Sequence, residues 1–262
     1  MISAIVITNN SELSLRDTLR SLDWVREIVV VDDLSSDRTG QIASEFPNVR
    51  FTSKPMLDFG EQKQFALNLA SHDWVISVDS DEQVPSELRD EILGVISRPD
   101  AADGYYVPIR NYIFGAWLRH GGLYPCHVLR LFRKSKAGFF GRVHEKVVVN
   151  GNCSYLEHDL IHHGTRDIAH YFQKSHLYTS LMAHELYEKG RRVSAANALV
   201  CFCLKPMYYF VRRYILQQGF LDGWRGFVLA VFTSMTVFTF HAKLYEMQLA
   251  PESRNPNYNQ AL

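Results

Sequence analysis

Two apolar runs in this 262-residue chain end in carboxylates. Asp32-Asp33 follows Glu27-Ile28-Val29-Val30-Val31, and Asp79-Ser80-Asp81-Glu82 follows Trp74-Val75-Ile76-Ser77-Val78. Hard oxygen ligands at a strand end suit Mg²⁺ or Mn²⁺, an ion that takes one or two carboxylates and completes its shell with water and phosphate. Such an ion stabilises charge on a departing diphosphate. Taken alone, Asp79-Ser80-Asp81 reads more often as a solvated turn ahead of the helix beginning near Pro85. The second carboxylate pair is what favours the metal reading. Asp37, in Ser35-Ser36-Asp37-Arg38-Thr39, reads as a helix cap, and one of Asp32 and Asp33 as a loop cap. Lys63 stands near the start of a helix, where charge and helix dipole together hold a phosphate; an ordinary surface lysine fits as well.

The elements that must position these residues follow from periodicity. Ile2–Thr8, 27–33, 49–51 and 74–79 read as strands, and 11–24, 37–46 and 62–70 as the helices between them. Strands alternating with helices over a hundred residues give an α/β sheet, with ligands beyond the carboxyl ends of the strands. Gly104 to Phe132 mixes aromatic residues with Gly and Pro and reads as extended segments and loops. From Arg166 the pattern is helical: one helix to Gly190, then a tract from about Ser194 to Ala250, with expected interruptions near Pro206, Gly219 and Gly226.

Composition narrows the class. With 47% apolar and 21% charged residues the chain buries a sizeable core, which excludes disordered and collagenous classes. Cys126, Cys153, Cys201 and Cys203 lack the spacing of a zinc ribbon or a disulfide framework, which suits a reducing compartment. No basic stretch or cleavage site accompanies the run after Met1, so a cytoplasmic location is expected. Zero net charge conceals a division: residues 1–103 hold 19 acidic and 9 basic residues, and residues 104–262 hold 9 and 19. The acidic half accommodates a metal; the basic half suits phosphorylated substrates or an anionic membrane surface, unless the halves simply pair. No nucleic-acid-binding motif accompanies the charge, so no nucleic-acid partner is expected. Between Lys189 and Arg225 seven cations face one acid, Asp222, interleaved with Tyr208, Tyr209, Phe210, Tyr214, Phe220 and Trp224. That pattern reads as an interfacial segment, or as a helical cap whose aromatic face packs on the sheet. Gly226–Ala242, free of Asp, Glu, Lys and Arg, falls short of the ~20 residues of a spanning helix. It is expected to be buried, to dip into the interface or to mediate a dimer.

Four motifs together resemble family 2 glycosyltransferases with the GT-A fold: Ile5–Asn10, Val30–Thr39, Gly60–Leu67 and Val78–Glu82, in matching order and spacing. Arg119–Pro125, Leu129–Arg133, Val143–Glu145 and Leu186–Gly190 are similar to the branch that builds the bacterial lipopolysaccharide core. The resemblance implies a mostly parallel GT-A sheet flanked by helices, with a helical C-terminal extension. The domain expectation is 1–165, with donor half 1–103 and acceptor half 104–165, then 166–262. It implies that Thr8, Asp32 and Asp33 contact the base or ribose, that Lys63 lies near the ribose or diphosphate, and that Asp79 and Asp81 hold ribose and metal. The family's later histidine, which approaches the metal, falls on His162, with His163 as its rival. Relatives commonly carry Lys-Asn-Glu after the first-strand threonine, where this chain has Asn9-Asn10-Ser11-Glu12.

Inversion at the sugar carbon needs a base for the acceptor hydroxyl, and Glu145 is the candidate, with Arg142 and Lys146 as neighbours that keep it ionised. Arg130 and Arg133 are candidates for binding acceptor phosphate or donor diphosphate through forked hydrogen bonds, or are solvated strand residues. The expected reaction is metal-dependent hexosyl transfer, glucose first, from a UDP-linked donor to a lipopolysaccharide core or related glycolipid. The enzyme would be peripheral to the cytoplasmic face of the inner membrane. Its rivals are a polyprenyl-phosphate glycosyltransferase and a non-catalytic membrane-binding module.

Overall fold

The structure is a computed structural model that describes residues 1–141 and 146–249. The chain forms two compact units, residues 1–110 with 125–164, and residues 111–124 with 165–262.

The elements in chain order are β1 (Ile2–Thr8), α1 (Leu15–Arg20), β2 (Glu27–Asp32), α2 (Thr39–Ser44), β3 (Val49–Ser53), α3 (Phe59–Leu69), β4 (Trp74–Ser77), β5 (Glu82–Gln83) and α4 (Ser86–Ile96). After them come β6 (Gly104–Ile113), β7 (Ala116–Trp117), β8 (His127–Arg133), β9 (Ala137–Phe140), β10 (Lys146–Val149), β11 (Cys153–Tyr155) and β12 (Leu160–Thr165). The α-helices that follow among the described residues are α5 (Ile168–Glu188), the short α6 (Lys205–Val211) and α7 (Gly223–Leu249).

In the first unit β2 shows why the apolar runs become strands. Ile28 and Val30 point into one core with Leu15, Leu19, Leu88 and Ile92; Val29 and Val31 point into the other with Ala66, Leu67 and Phe132. Alternate side chains reach opposite faces, and helices cover both, so the strand is apolar at every position from Ile28 to Val31. The sheet order is β3-β2-β1-β4-β8-β6-β12-β5, with β11 and β7 also pairing with β6. β3, β2, β1 and β4 run parallel, whereas β8 pairs antiparallel with both β4 and β6. Thus the α/β sheet is parallel from β3 to β4 and mixed beyond them. The chain winds outward from β1 to β2 and β3, then returns to lay β4 on the other side of β1. In open α/β sheets such a reversal is where ligands bind, in the crevice beyond the carboxyl ends of the strands, here those of β1 and β4.

Several expected helices are shorter than their apolar periodicity: 11–24 is helical only over Leu15–Arg20, with the Ser14 N–H turned back to the Ser11 carbonyl at its start and the Ser21 hydroxyl donating to the Thr18 carbonyl at its end. The second unit packs α7 with α5 and α6. Asp167 caps α5, accepting from the His170 N–H at 2.8 Å, and Gly190 in the left-handed region (φ 71°) follows its end. Turns of π-helix, Val200–Leu204 and Arg212–Leu216, flank α6. Pro206 does not end the helical tract, which runs on through it, but the ladder changes there from the π-turn Val200–Leu204 to α6. Gly226 is also no break: it lies within α7, where a Cβ would come 1.8 Å from the Gly219 carbonyl oxygen. It is there for close backbone approach. Among the described residues one helical stretch, Gly219–Leu249, is long and apolar enough to cross a membrane by length and composition, extending past both ends of the uncharged run.

Candidate active site

The crevice side of the sheet is built from three strand ends. At the end of β1 the Thr8 hydroxyl donates to Asp32 Oδ1 at 2.8 Å, and Asp32 also accepts from the N–H and hydroxyl of Ser35 at 2.8 and 2.5 Å. Thr8 and Asp32 are buried, and Asp32 folds the following loop. Asp33 is half-buried, with one oxygen taking the Met56 N–H at 2.8 Å and the other the Asn9 amide at 3.1 Å. The two loops are laced together: Asn10 N–H donates to Ser35 Oγ at 2.7 Å and Ser36 N–H to Asn10 Oδ1 at 3.0 Å. Asn10 and Leu34 both sit in the left-handed region, at φ 46° and 48°. For an exposed leucine that conformation costs about 1–2 kcal/mol, and the lacing maintains it. Glu12 turns to the Arg38 N–H and guanidinium, each at 3.2 Å, while Asp37 accepts from Thr39 at the start of α2, as its sequence context suggests.

The end of β4 carries a charged cluster. Lys63 Nζ lies 2.9 Å from Asp79 Oδ1, and Arg130 Nη2 lies 2.8 Å from Asp79 Oδ2 and 2.5 Å from Glu82 Oε1. The other Glu82 oxygen accepts the Asp79 N–H at 2.8 Å. Lys63, Glu82 and Arg130 are all buried. Lys63 is therefore no surface lysine: the helix brings it inward to Asp79. Burial alone would raise the Asp79 pKa, but the charges and hydrogen bonds of Arg130 and Lys63 hold it well below the usual carboxylate range. For Glu82 burial dominates, with the neighbouring Asp79 charge adding to it, and the pKa rises despite Arg130.

Next to this cluster β5 pairs antiparallel with β12, setting His162 opposite Glu82 and directing the His163 N–H to the Asp81 carbonyl at 2.9 Å. His162 Nε2 stands 3.5 Å from Asp81 Oδ1. Burial opposes the imidazolium, yet the hydrogen bond and charge of Asp81, with Glu82 and Asp79 behind it, raise the His162 pKa. Gly164 makes room for the ring, since a Cβ there would lie 2.7 Å from His162 Cε1. One carboxylate and one imidazole at the crevice mouth fit Mg²⁺ or Mn²⁺. Asp79 already has a cation on each oxygen. Among the described residues no three His, Cys, Asp or Glu side chains group to hold an ion, so a cation here would draw its other ligands from water and phosphate.

Arg130 and Arg133 part company. β8 runs antiparallel to β4, so Arg130 reaches the Asp79 end while Arg133, opposite Trp74, lies at the other end. There it pairs with Asp73 at 3.3 Å and Asp103 at 3.7 Å and covers the Trp74 ring at 4.4 Å. The structure does not bring Arg133 to the site, which corrects its assignment to phosphate binding. Glu145 lies outside the described residues. Glu82 is the residue that the sequence reading left without a role; its signal was its place three residues after Asp79, the spacing that lets it accept the Asp79 N–H.

A family model described as glycosyl transferase family 2 matches residues 3–164. The chain is 29% identical to LpsC, a lipopolysaccharide core biosynthesis glycosyltransferase of Rhizobium meliloti, over 100% of this chain and 97% of that protein. An uncharacterized glycosyltransferase of Rickettsia typhi is also 29% identical, over 97% of this chain and 89% of its own length. Among solved structures, that of Staphylococcus aureus TarS 1–349 has 16% sequence identity and a TM-score of 0.49, covering 94% of this chain and 90% of that one.

Proposed function

The chain belongs to glycosyl transferase family 2, and from that premise we propose that it moves a hexose, glucose in the first instance, from UDP onto a lipopolysaccharide core or related glycolipid with inversion. The observation that carries this reading is the arrangement at the end of β4: Asp79 locked between Lys63 and Arg130, with Asp81 and His162 beside it at the crevice mouth. The relative LpsC carries the name of a lipopolysaccharide core enzyme, and we extend that acceptor class to this chain. A nucleotide-sugar donor sets the reaction on the cytoplasmic face of the inner membrane, and the basic, aromatic 189–225 segment suits peripheral attachment there.

In this reading Thr8 and Asp32 fix the loop on which Asp33 meets the base or ribose. Asp79 receives the ribose side of the donor and is kept ionised by Lys63 and Arg130. Asp81 and His162 would hold a divalent cation, which when bound neutralises charge on the diphosphate as it leaves. Glu145 removes the acceptor hydroxyl's proton on the face opposite the leaving diphosphate. The domain reading is a transferase domain over 1–165 and a helical extension over 166–262.

The test is transfer from UDP-glucose, with Mn²⁺, to purified core oligosaccharide and to polyprenyl phosphate in parallel. Glucosylated core supports the proposal. Transfer to polyprenyl phosphate alone replaces the acceptor class, and turnover only with another sugar nucleotide replaces the donor.

A further inference from the structure

The second unit holds a half-buried arginine without a counter-ion. Arg213 lies in the π-helical turn Arg212–Leu216, with its stem against the 119–122 loop, where a Cβ on Gly121 would come 3.3 Å from Arg213 Cγ. Among the described residues its guanidinium has no ion-pair or hydrogen-bond partner. The one carboxylate of the 189–225 segment is committed elsewhere: Asp222 accepts the His120 N–H and contacts the His120 ring, each at 2.9 Å, and accepts the Arg119 N–H at 3.3 Å. The charge next to Arg213 is repulsive, since burial and Arg212 both depress its pKa, with only the Tyr171 hydroxyl opposing them. Other cations of this unit are satisfied: Lys243 donates to the His176 carbonyl, Thr179 and Ser180 at 2.7–2.9 Å, and Arg225 to the Phe114 carbonyl at 3.0 Å.

Partly withdrawing a guanidinium from water, with solvent rather than a protein group as its acceptor, is unfavourable. A fold that keeps one in that state is suited to an anionic ligand. The planar fork of arginine matches phosphate oxygens, and the exposed Arg212 adds a second positive charge. Following the pair in sequence are solvent-facing apolar side chains: Ile215, Leu216, Phe220 and Leu221 are 53%, 68%, 47% and 56% exposed. Two cations beside an exposed apolar surface match a ligand with a phosphate head and a hydrocarbon tail.

We propose that Arg213, with Arg212 beside it, forms a binding site for a phosphate group carried on a lipid. Both the membrane acceptor and a phospholipid headgroup have that chemistry, and the proposal rests on the glycolipid reading above only for which of them supplies it.

The experiment uses the full chain with phosphatidylcholine vesicles containing either phosphatidate or phosphatidylserine at matched surface charge, and inorganic phosphate as a soluble competitor. Wild type sediments more strongly with phosphatidate, and inorganic phosphate weakens that binding. Arg213→Met keeps the stem and removes the charge; it lowers phosphatidate binding at least about tenfold, the weight of one hydrogen bond to a charged group. Arg98→Gln, an exposed cation of the first unit, keeps the preference. Without phosphate, Arg213→Met melts no lower than wild type, because an unpaired cation has been removed. Equal sedimentation of Arg213→Met and wild type on phosphatidate overturns the proposal. So does a markedly lower melting temperature of that variant, which would reveal a protein partner. Arg213-dependent binding of inorganic phosphate without vesicle binding overturns the lipid-borne source. UDP titration with Mn²⁺ on the same proteins separates the two readings: wild type that fails to bind UDP faults the donor assignment and leaves the Arg213 site standing. UDP binding with no Arg213-dependent phosphatidate binding faults only the site.

Discussion

Replacing Arg130 with Met removes one buried cation and leaves two carboxylates facing each other. Arg130 lies 2.8 Å from Asp79 and 2.5 Å from Glu82, and the Glu82 side chain is only 2% exposed. Lys63 then remains on one Asp79 oxygen, and Glu82 keeps only the Asp79 N–H of the partners described above. Breaking a buried pair by removing one partner costs about 3–5 kcal/mol. At about 2–4 °C per kcal/mol for a chain of this size, the melting temperature falls by roughly 6–20 °C at neutral pH. The sign with pH follows from Glu82. Its pKa is already raised by burial and rises further without Arg130, so protonating it relieves the variant. The stability deficit therefore shrinks as soon as pH falls below neutrality, whereas loss of a simple surface ion pair leaves a deficit that stays flat until the ordinary carboxylate range is reached. Adding Glu82→Gln to Arg130→Met removes the uncompensated charge and recovers more than half of the loss. Urea denaturation of wild type, both single variants and the double variant at several pH values measures each quantity. A deficit under about 1 kcal/mol, or one that grows on acidification below neutrality, would refute the reasoning.

Asp81→Asn is expected to abolish metal-dependent transfer with little change in urea midpoint, since the side chain stands at the crevice mouth; retained turnover would remove Asp81 from the metal assignment. Glu145→Gln leaves UDP binding in place and slows transfer by ~10²-fold or more, a typical general-base contribution, so single-turnover rates matching wild type would move the base elsewhere. Gly164→Ala pushes the His162 ring aside and weakens Mn²⁺ binding by about tenfold or more, as displacement of a ligand does; unchanged affinity would count against His162 as a ligand. In wild type the same affinity increases as pH rises through the elevated His162 pKa, because the imidazolium cannot ligate, and a flat pH profile would argue the same way.

Much of the site was legible because buried parallel strands leave an unmistakable trace. Residues 28–31, and 74–78 apart from Ser77, are apolar since both faces of the sheet are covered, and the polar residues that follow mark the crevice. Strand direction left no such trace. Arg130 and Arg133 look alike in the sequence, but they are three residues apart, so they face opposite sides of β8 and are separated by roughly 10 Å along it. Only the antiparallel pairing with β4 decides which one reaches Asp79. Lys63 was visible as a helix-start cation, yet its burial depends on α3 packing over β1 and β2. Gly226 misled because a helix-breaking glycine and a close-contact glycine are the same letter; what separates them is the Gly219 carbonyl pressed against α7. The lone charge of Arg213 was hidden for a related reason, since a missing counter-ion shows only after the fold has assigned Asp222 to His120.

The central claim is that the ends of β1, β2 and β4 form a metal-assisted nucleotide site. Calorimetric titration of the purified chain with UDP and with GDP, each with and without Mn²⁺, tests it most directly. UDP binding that Mn²⁺ strengthens, exceeding that of GDP, is the expected result; the absence of binding by either nucleotide in the presence of Mn²⁺ would contradict the account.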